Sequence, residues 1–272
     1  MVSTLITHEY LRTRTWLAVV FGVATLLTVV GTLMAYTPWG FIRVLGFILS
    51  FVAVAAFLFV VQLGLAFDYW RSSYSKTGYF TQSLPVKGST IYGAKFLWGA
   101  IVTVVTLLWN VVLAVPVIFG GARAMGDGMT WAALMSNLRS AVGVAPLWTW
   151  IFLGFLFVTL SVGGIAQYYF AASLGSESRM NRLGIGGPII VWFVLYLVMQ
   201  VLLLVGIVAV PLGLGPGVDG HLAVMSVNYL ETLMQNNNPD IMPLGFFPVL
   251  FIVSAVLIWR TVVSWNKKVS LA

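Results

Sequence analysis

Cysteine is absent from this 272-residue chain, histidine occurs twice, and charged residues make up only 8% of it. Without cysteine there is no disulfide framework and no thiolate metal site. A soluble domain carries about 25% charged residues, so the scarcity of charge excludes an ordinary globular enzyme. Disorder is excluded by the other side of the same balance, an apolar share of 60%. Nucleotide and catalytic signatures are missing too: there is no HExxH, no GxSxG and no GxxxxGK[ST], so the chain has no phosphate-cradling loop of its own. His8 and His221 stand alone, and no His/carboxylate cluster of metal-ligand spacing occurs. No catalytic residue, no metal and no cofactor is therefore expected on this chain.

What the chain does contain is oil. The mean hydropathy is +1.01, and long charge-free windows recur. A hydrocarbon core of ~30 Å needs ~20 apolar helical residues. Six segments meet that length, at about 16–35, 42–67, 96–119, 148–172, 188–210 and 245–265. The expected fold is an all-α polytopic membrane protein, a single transmembrane domain over 1–272 with the lipid bilayer as its first partner. Pro38-Trp39-Gly40 makes a tight turn from the first span into the second.

Six spans put both termini on one side, and the basic residues choose which. With the N-terminus inside, the inner segments hold Arg12, Arg14, Arg71, Lys76, Lys87, Lys95, Arg179, Arg182, Arg260, Lys267 and Lys268. The outer segments hold only Arg43, Arg123 and Arg139. That asymmetry gives an N-in, C-in topology. The net charge of +7 would suggest nucleic acid in a soluble chain; here it is loop bias, and no nucleic-acid partner is expected. Two outer segments show helical apolar spacing. Trp131, Leu134, Met135, Leu138 and Val142 share a face of 130–142, with Thr130 as N-cap; Leu222, Met225, Tyr229 and Leu233 share one of 221–235. Both read as interfacial or re-entrant helices.

The seven acids (Glu9, Asp68, Asp127, Glu177, Asp219, Glu231 and Asp240) lie in loops or at span ends. A proton-coupled pump built on intramembrane carboxylates is thereby disfavoured. Gln62, Asn110, Gln167 and Gln200 are the polar candidates inside the spans, either as interhelical hydrogen bonders or as lining of a substrate path. Arg43 and Arg260 sit near span ends, where each can snorkel without an internal partner. The pairs Ala18/Gly22 and Gly31/Ala35 permit close helix approach but locate no interface by themselves.

The longest inner segment, 68–95, carries Tyr74, Tyr79, Phe80 and Leu84, an apolar set unusual for a solvated loop. Pro85 stops any short helix ahead of it, and Ser89 is placed to cap the next. Aromatics on a short Pro-terminated helix read either as anchors for a partner's groove or as a lipid-lying connector. The run Leu84-Pro85-Val86 followed by Ile91 and Lys95-Phe96-Leu97 resembles the segment between spans two and three of ABC-2-type permeases, the membrane subunits of bacterial ABC transporters. The opening Leu5-Ile6-Thr-His-Glu9-Tyr-Leu-Arg12-Thr-Arg14 is similar to the amphipathic segment that begins many such subunits.

The resemblance implies a connecting helix over 1–15, with Glu9, Arg12 and Arg14. It also implies a coupling helix around 72–84, with Tyr74, Tyr79, Phe80, Leu84 and Pro85 as docking residues and Arg71, Lys76 and Lys87 as rim charges. It implies a separate ATP-binding cassette subunit holding ATP and Mg, and a homodimer or heterodimer of permeases in a bacterial plasma membrane. The cargo would be a hydrophobic or amphipathic compound, exported. The outer helix at 130–142 departs from the better-known drug and lipid exporters of that family. A non-conducting membrane scaffold is the alternative expectation.

Overall fold

A computed structural model describes residues 2–75, 78–82, 85–177, 180–216, 222–234 and 241–267. Among them, six helices are long and apolar enough to cross a membrane: α1 (Val2–Ala35), α2 (Gly40–Tyr74), α4 (Gly88–Ala124), α6 (Leu147–Leu174), α7 (Gly186–Ala209) and α9 (Phe246–Lys267). Shorter helices lie between them: α3 (Gly78–Gln82), α5 (Trp131–Gly143) and α8 (Tyr229–Met234). The chain is thus an all-α polytopic membrane protein. Leu33, Phe59, Leu108, Val111, Phe155 and Val201 are among the large apolar side chains left exposed along these helices. A soluble protein would aggregate through so much apolar surface; a bilayer covers it.

The chain divides into two compact units, residues 1–136 and 137–272. In the first, α1, α2 and α4 pack mutually into a three-helix bundle. The turn at 36–39, with Pro38, sends α2 back along α1. The two helices then cross on glycines: a Cβ added to Gly31 would lie 2.6 Å from the Gly46 carbonyl oxygen and 2.8 Å from the Ser50 amide nitrogen. Only hydrogen side chains allow backbones this close. Gly31 and Ala35 are both buried, whereas Ala18 and Gly22 face outward. The buried hydroxyls of Thr13, Thr28, Thr103 and Thr106 each donate to the carbonyl four residues earlier in their own helix, at 2.8 Å. Polar groups are thereby satisfied without a partner helix.

In the second unit, α6, α7 and α9 form another three-helix bundle. It too closes on glycine, since a Cβ on Gly206 would lie 2.8 Å from the Gly245 carbonyl oxygen. Between α7 and α9 the chain departs from the expected amphipathic helix over 221–235. Among the described residues of that segment, Leu222–Ser226 are a strand, β2, and Tyr229–Met234 are helical. Strand β2 pairs antiparallel with β1 (Leu212–Pro216), which also pairs with β3 (Met242–Pro243), in the order β2-β1-β3. The apolar spacing of Leu222 and Met225 fits a helix locally, but β1 supplies hydrogen-bond partners that spacing cannot reveal. The helix expected over 130–142 is found as Trp131–Gly143, and the Ala133 amide donates to Thr130 Oγ1 at 3.2 Å, the N-cap geometry.

Three helices of the first bundle are longer than a bilayer needs. At about 1.5 Å per residue, α1, α2 and α4 (34, 35 and 37 residues) reach past 50 Å against a core of about 30 Å. Residues 2–15 run into the first span without a break. The surplus lies largely at the end the basic residues assign to the inside: the start of α1, the end of α2 and the start of α4.

Candidate functional site at the inner helix ends

Those three overhangs converge on a group of charged side chains. Helix α1 brings Glu9, Arg12 and Thr13; α2 brings Asp68 and Ser72; α4 brings Lys95 and Trp98. Lys95 Nζ donates to Glu9 Oε1 at 2.9 Å and to Ser72 Oγ at 2.8 Å, with its side chain only 3% exposed. Arg12 donates to both carboxylate oxygens of Glu9 and reaches Asp68 Oδ2 at 2.5 Å. Thr13 Oγ1 donates to the Glu9 carbonyl at 2.8 Å and accepts from the Trp98 indole at 3.0 Å. Two carboxylates meet two cations, so the group is electrically balanced. A buried ion pair is tolerable on those terms, because the desolvation of each charge is offset by close, hydrogen-bonded partners.

The elbow after α2 is tied to the same group. Helix α2 ends at Tyr74, and the Gly78 amide donates to the Ser75 carbonyl at 2.7 Å. A Cβ on Gly78 would meet the Ser73 carbonyl oxygen at 2.5 Å, so the return of the chain here requires glycine. Thr81 Oγ1 then donates to the Ser72 carbonyl at 2.8 Å. Ser72 is the junction: its carbonyl holds α3 and its hydroxyl holds Lys95. Beneath it, the buried rings of Tyr69 and Tyr92 meet at 6.4 Å, and Tyr74 meets Tyr69 edge-on at 6.0 Å.

Of the residues singled out from sequence, Glu9 and Arg12 sit in this group, while Arg14 is exposed on α1. Tyr74 is half-buried; Tyr79, Arg71, Pro85 and Lys87 are exposed along the elbow. Lys76 and Leu84 lie outside the described residues, as does the side chain of Phe80. Helix α3 ends ahead of Pro85, and α4 begins at Gly88, with Lys87 rather than Ser89 at its cap position. Gln62 is buried in the first bundle, and Asn110 Oδ1 is buried without a hydrogen-bond partner. In the second bundle Gln167 is half-buried and Gln200 exposed.

Asp68, Ser72, Lys95 and Trp98 are not among the site residues expected from sequence, although a signal for Lys95 exists. Ile91, Lys95 and Val102 are spaced four and seven apart, and all three are buried. Where such a stripe is buried, its lysine needs a carboxylate partner. Arg260 corrects an expectation outright: it does not merely snorkel, but donates to Glu177 Oε1 at 2.8 Å, and Ser264 Oγ donates to the same atom at 2.9 Å.

Among the described residues no three His, Asp or Glu side chains gather as a metal site would need. Comparison with protein-family models, with curated proteins and with solved structures gives no match.

Proposed function

We propose that this multi-pass chain is the membrane-spanning subunit of an ATP-driven transporter, energised by a separate ATP-binding subunit that docks on the elbow at 72–84. The observation that carries the reading is the hydrogen-bonded path from Thr81 through Ser72 and Lys95 to Glu9. A push on α3 reaches α2 and α4 through side chains already in register, and reaches α1 through a buried ion pair. In this reading the partner holds ATP and Mg, and closure of its nucleotide sites carries the elbow with it. The helix ends move as a unit because they are cross-linked. Exposed Tyr79 and its neighbour Phe80 anchor the partner, with Arg71 and Lys87 on the rim. The pathway is completed by a second permease, identical or homologous, in a bacterial plasma membrane, and the cargo is a hydrophobic or amphipathic compound moved outward.

The test is purification of the full chain in mild detergent from its native host, followed by assay of the accompanying proteins for ATP hydrolysis. An ATPase that copurifies with the parent chain is the expected result. The Tyr79→Ala, Phe80→Ala double variant is expected to express normally, lose the ATPase and lose ATP-dependent transport. Unchanged transport in that variant would overturn the docking role. A partner bound with no transport at all would identify the chain as a non-conducting scaffold.

A further inference from the structure

At the opposite end of the first bundle, a depression of about 590 Å³ opens between the last turns of α1 and α4 and the chain leading into α5. Thr32 and Tyr36 form one wall, Pro116 and Phe119 the second, and Thr130 and Trp131 the rim. Its size is that of a small-ligand site. Phe119 and Trp131 meet at 5.1 Å, and the Arg123 guanidinium lies 5.2 Å above the Tyr36 ring.

Three observations specify what fits there. First, Thr32 Oγ1 is buried without a hydrogen-bond partner, although Thr25 and Thr28 on the same helix each donate to the carbonyl four residues earlier. A buried hydroxyl left unpaired costs stability, and this one lines the depression. Second, Arg123 has no carboxylate within salt-bridge distance among the described residues, the nearby Asp127 included, whereas Arg12, Lys95 and Arg260 are all paired. Third, Thr130 accepts from the Ala133 amide, which leaves its hydroxyl hydrogen to be donated elsewhere. The Thr32 and Thr130 hydroxyls and the Arg123 guanidinium each have a hydrogen to donate, a set that suits an acceptor-rich anion. The aromatic walls and the position at the helix ends, the level of the membrane interface, call for an apolar body attached to it.

The geometry points to a binding site for one anionic phospholipid of the outer leaflet. Its phosphodiester lies between Arg123 and Thr130, an ester carbonyl accepts from Thr32 Oγ1, and its chains leave past Pro116 along the apolar helix surface. Arg123 gives the charge selectivity, since it attracts the phosphodiester and repels the quaternary ammonium that a zwitterionic headgroup carries beside it. The site is independent of any ATP-binding partner.

The full chain in detergent can be titrated with phosphatidylglycerol and with phosphatidylcholine of the same acyl chains, and read by native mass spectrometry. One phosphatidylglycerol is expected to bind about tenfold or more tightly than phosphatidylcholine, a preference that Arg123→Gln removes. Thr32→Val is expected to weaken binding about fivefold while leaving thermal unfolding of the lipid-free protein unchanged or shifted upward. A residue with a merely structural role would lower it. Arg43→Gln removes an outer charge elsewhere and is expected to bind as the parent does. Equal affinity for the two lipids, or equal weakening by Arg123→Gln and Arg43→Gln, overturns the site.

Discussion

In the first bundle a carboxylate lies 2.9 Å from a lysine whose side chain is 3% exposed; in the second, a carboxylate lies 2.8 Å from an arginine that is 24% exposed. The distances are nearly equal, and the surroundings are not. Glu9 is shared by Lys95 and Arg12, and Arg12 continues to Asp68, so three helices are joined through one ion cluster. Glu177 belongs to the turn after α6 and accepts from two side chains of α9, Arg260 and Ser264. Coulomb attraction strengthens as water is excluded, and so does the penalty for leaving one partner behind. The first bundle encloses its lysine at the inner end of three helices; the second has a part-buried clasp between a turn and one helix.

The sharpest way to break this comparison is Glu9→Ala. Lys95 would keep only Ser72 in a dry site, and the loss of one partner of a buried pair costs about 3–5 kcal/mol. Thermal unfolding in detergent should fall steeply, or the protein should fail to accumulate. Glu177→Ala should cost less, about 1–2 kcal/mol, because the Arg260 side chain is partly open to water where that of Lys95 is not. Adding Lys95→Met to Glu9→Ala should recover part of the loss, since removing both charges abolishes the burial penalty. Equal shifts for Glu9→Ala and Glu177→Ala would show that depth does not separate the two bundles.

The glycine crossings give the next largest effect, and here the bundles should behave alike. Gly31→Ala drives a methyl towards the Gly46 carbonyl, and Gly206→Ala drives one towards the Gly245 carbonyl and Val249. Overpacking of this kind costs about 1–3 kcal/mol. Gly22→Ala points into open space and should leave unfolding unchanged or raise it slightly, as alanine favours helix. A Gly22 variant as destabilised as the Gly31 variant would contradict the crossing.

How much of this was legible follows from where each signal resides. The six spans could be read because lipid imposes one composition over a whole helix, so charge-free length suffices. The Pro38 turn, the stop ahead of Pro85 and the Thr130 cap are local as well, each set by residues within one turn. The inner cluster is not local: Glu9 and Lys95 are 86 positions apart, Arg12 and Asp68 56, and Glu177 and Arg260 83. Nothing in a single sequence distinguishes an arginine that snorkels from one that reaches a remote carboxylate. The strand at 222–226 departs from the expected helix for the same reason, because its partner is β1 and not its own neighbours. Gly31/Ala35 and Ala18/Gly22 look identical as patterns, and only the position of α2 makes the first a crossing and leaves the second facing outward.

The smallest expected effect in stability is the most informative about the elbow. Thr81→Val deletes the hydrogen bond to the Ser72 carbonyl and keeps the volume of the side chain. A single hydrogen bond of this type contributes about 1 kcal/mol, and the elbow adds little to the burial of the three-helix bundle, so global unfolding should scarcely move. Hydrogen exchange across 78–82 should nonetheless speed up, since those amides are protected only while α3 stays folded back on α2. Exchange at Lys95 and its neighbours should not change, because the Ser72 hydroxyl is still in place to accept from Lys95. If amides near Lys95 loosen as well, the elbow and the ion cluster form one cooperative unit. If neither region responds, Thr81 is not what holds the elbow, and the path from α3 to Glu9 must run through other contacts.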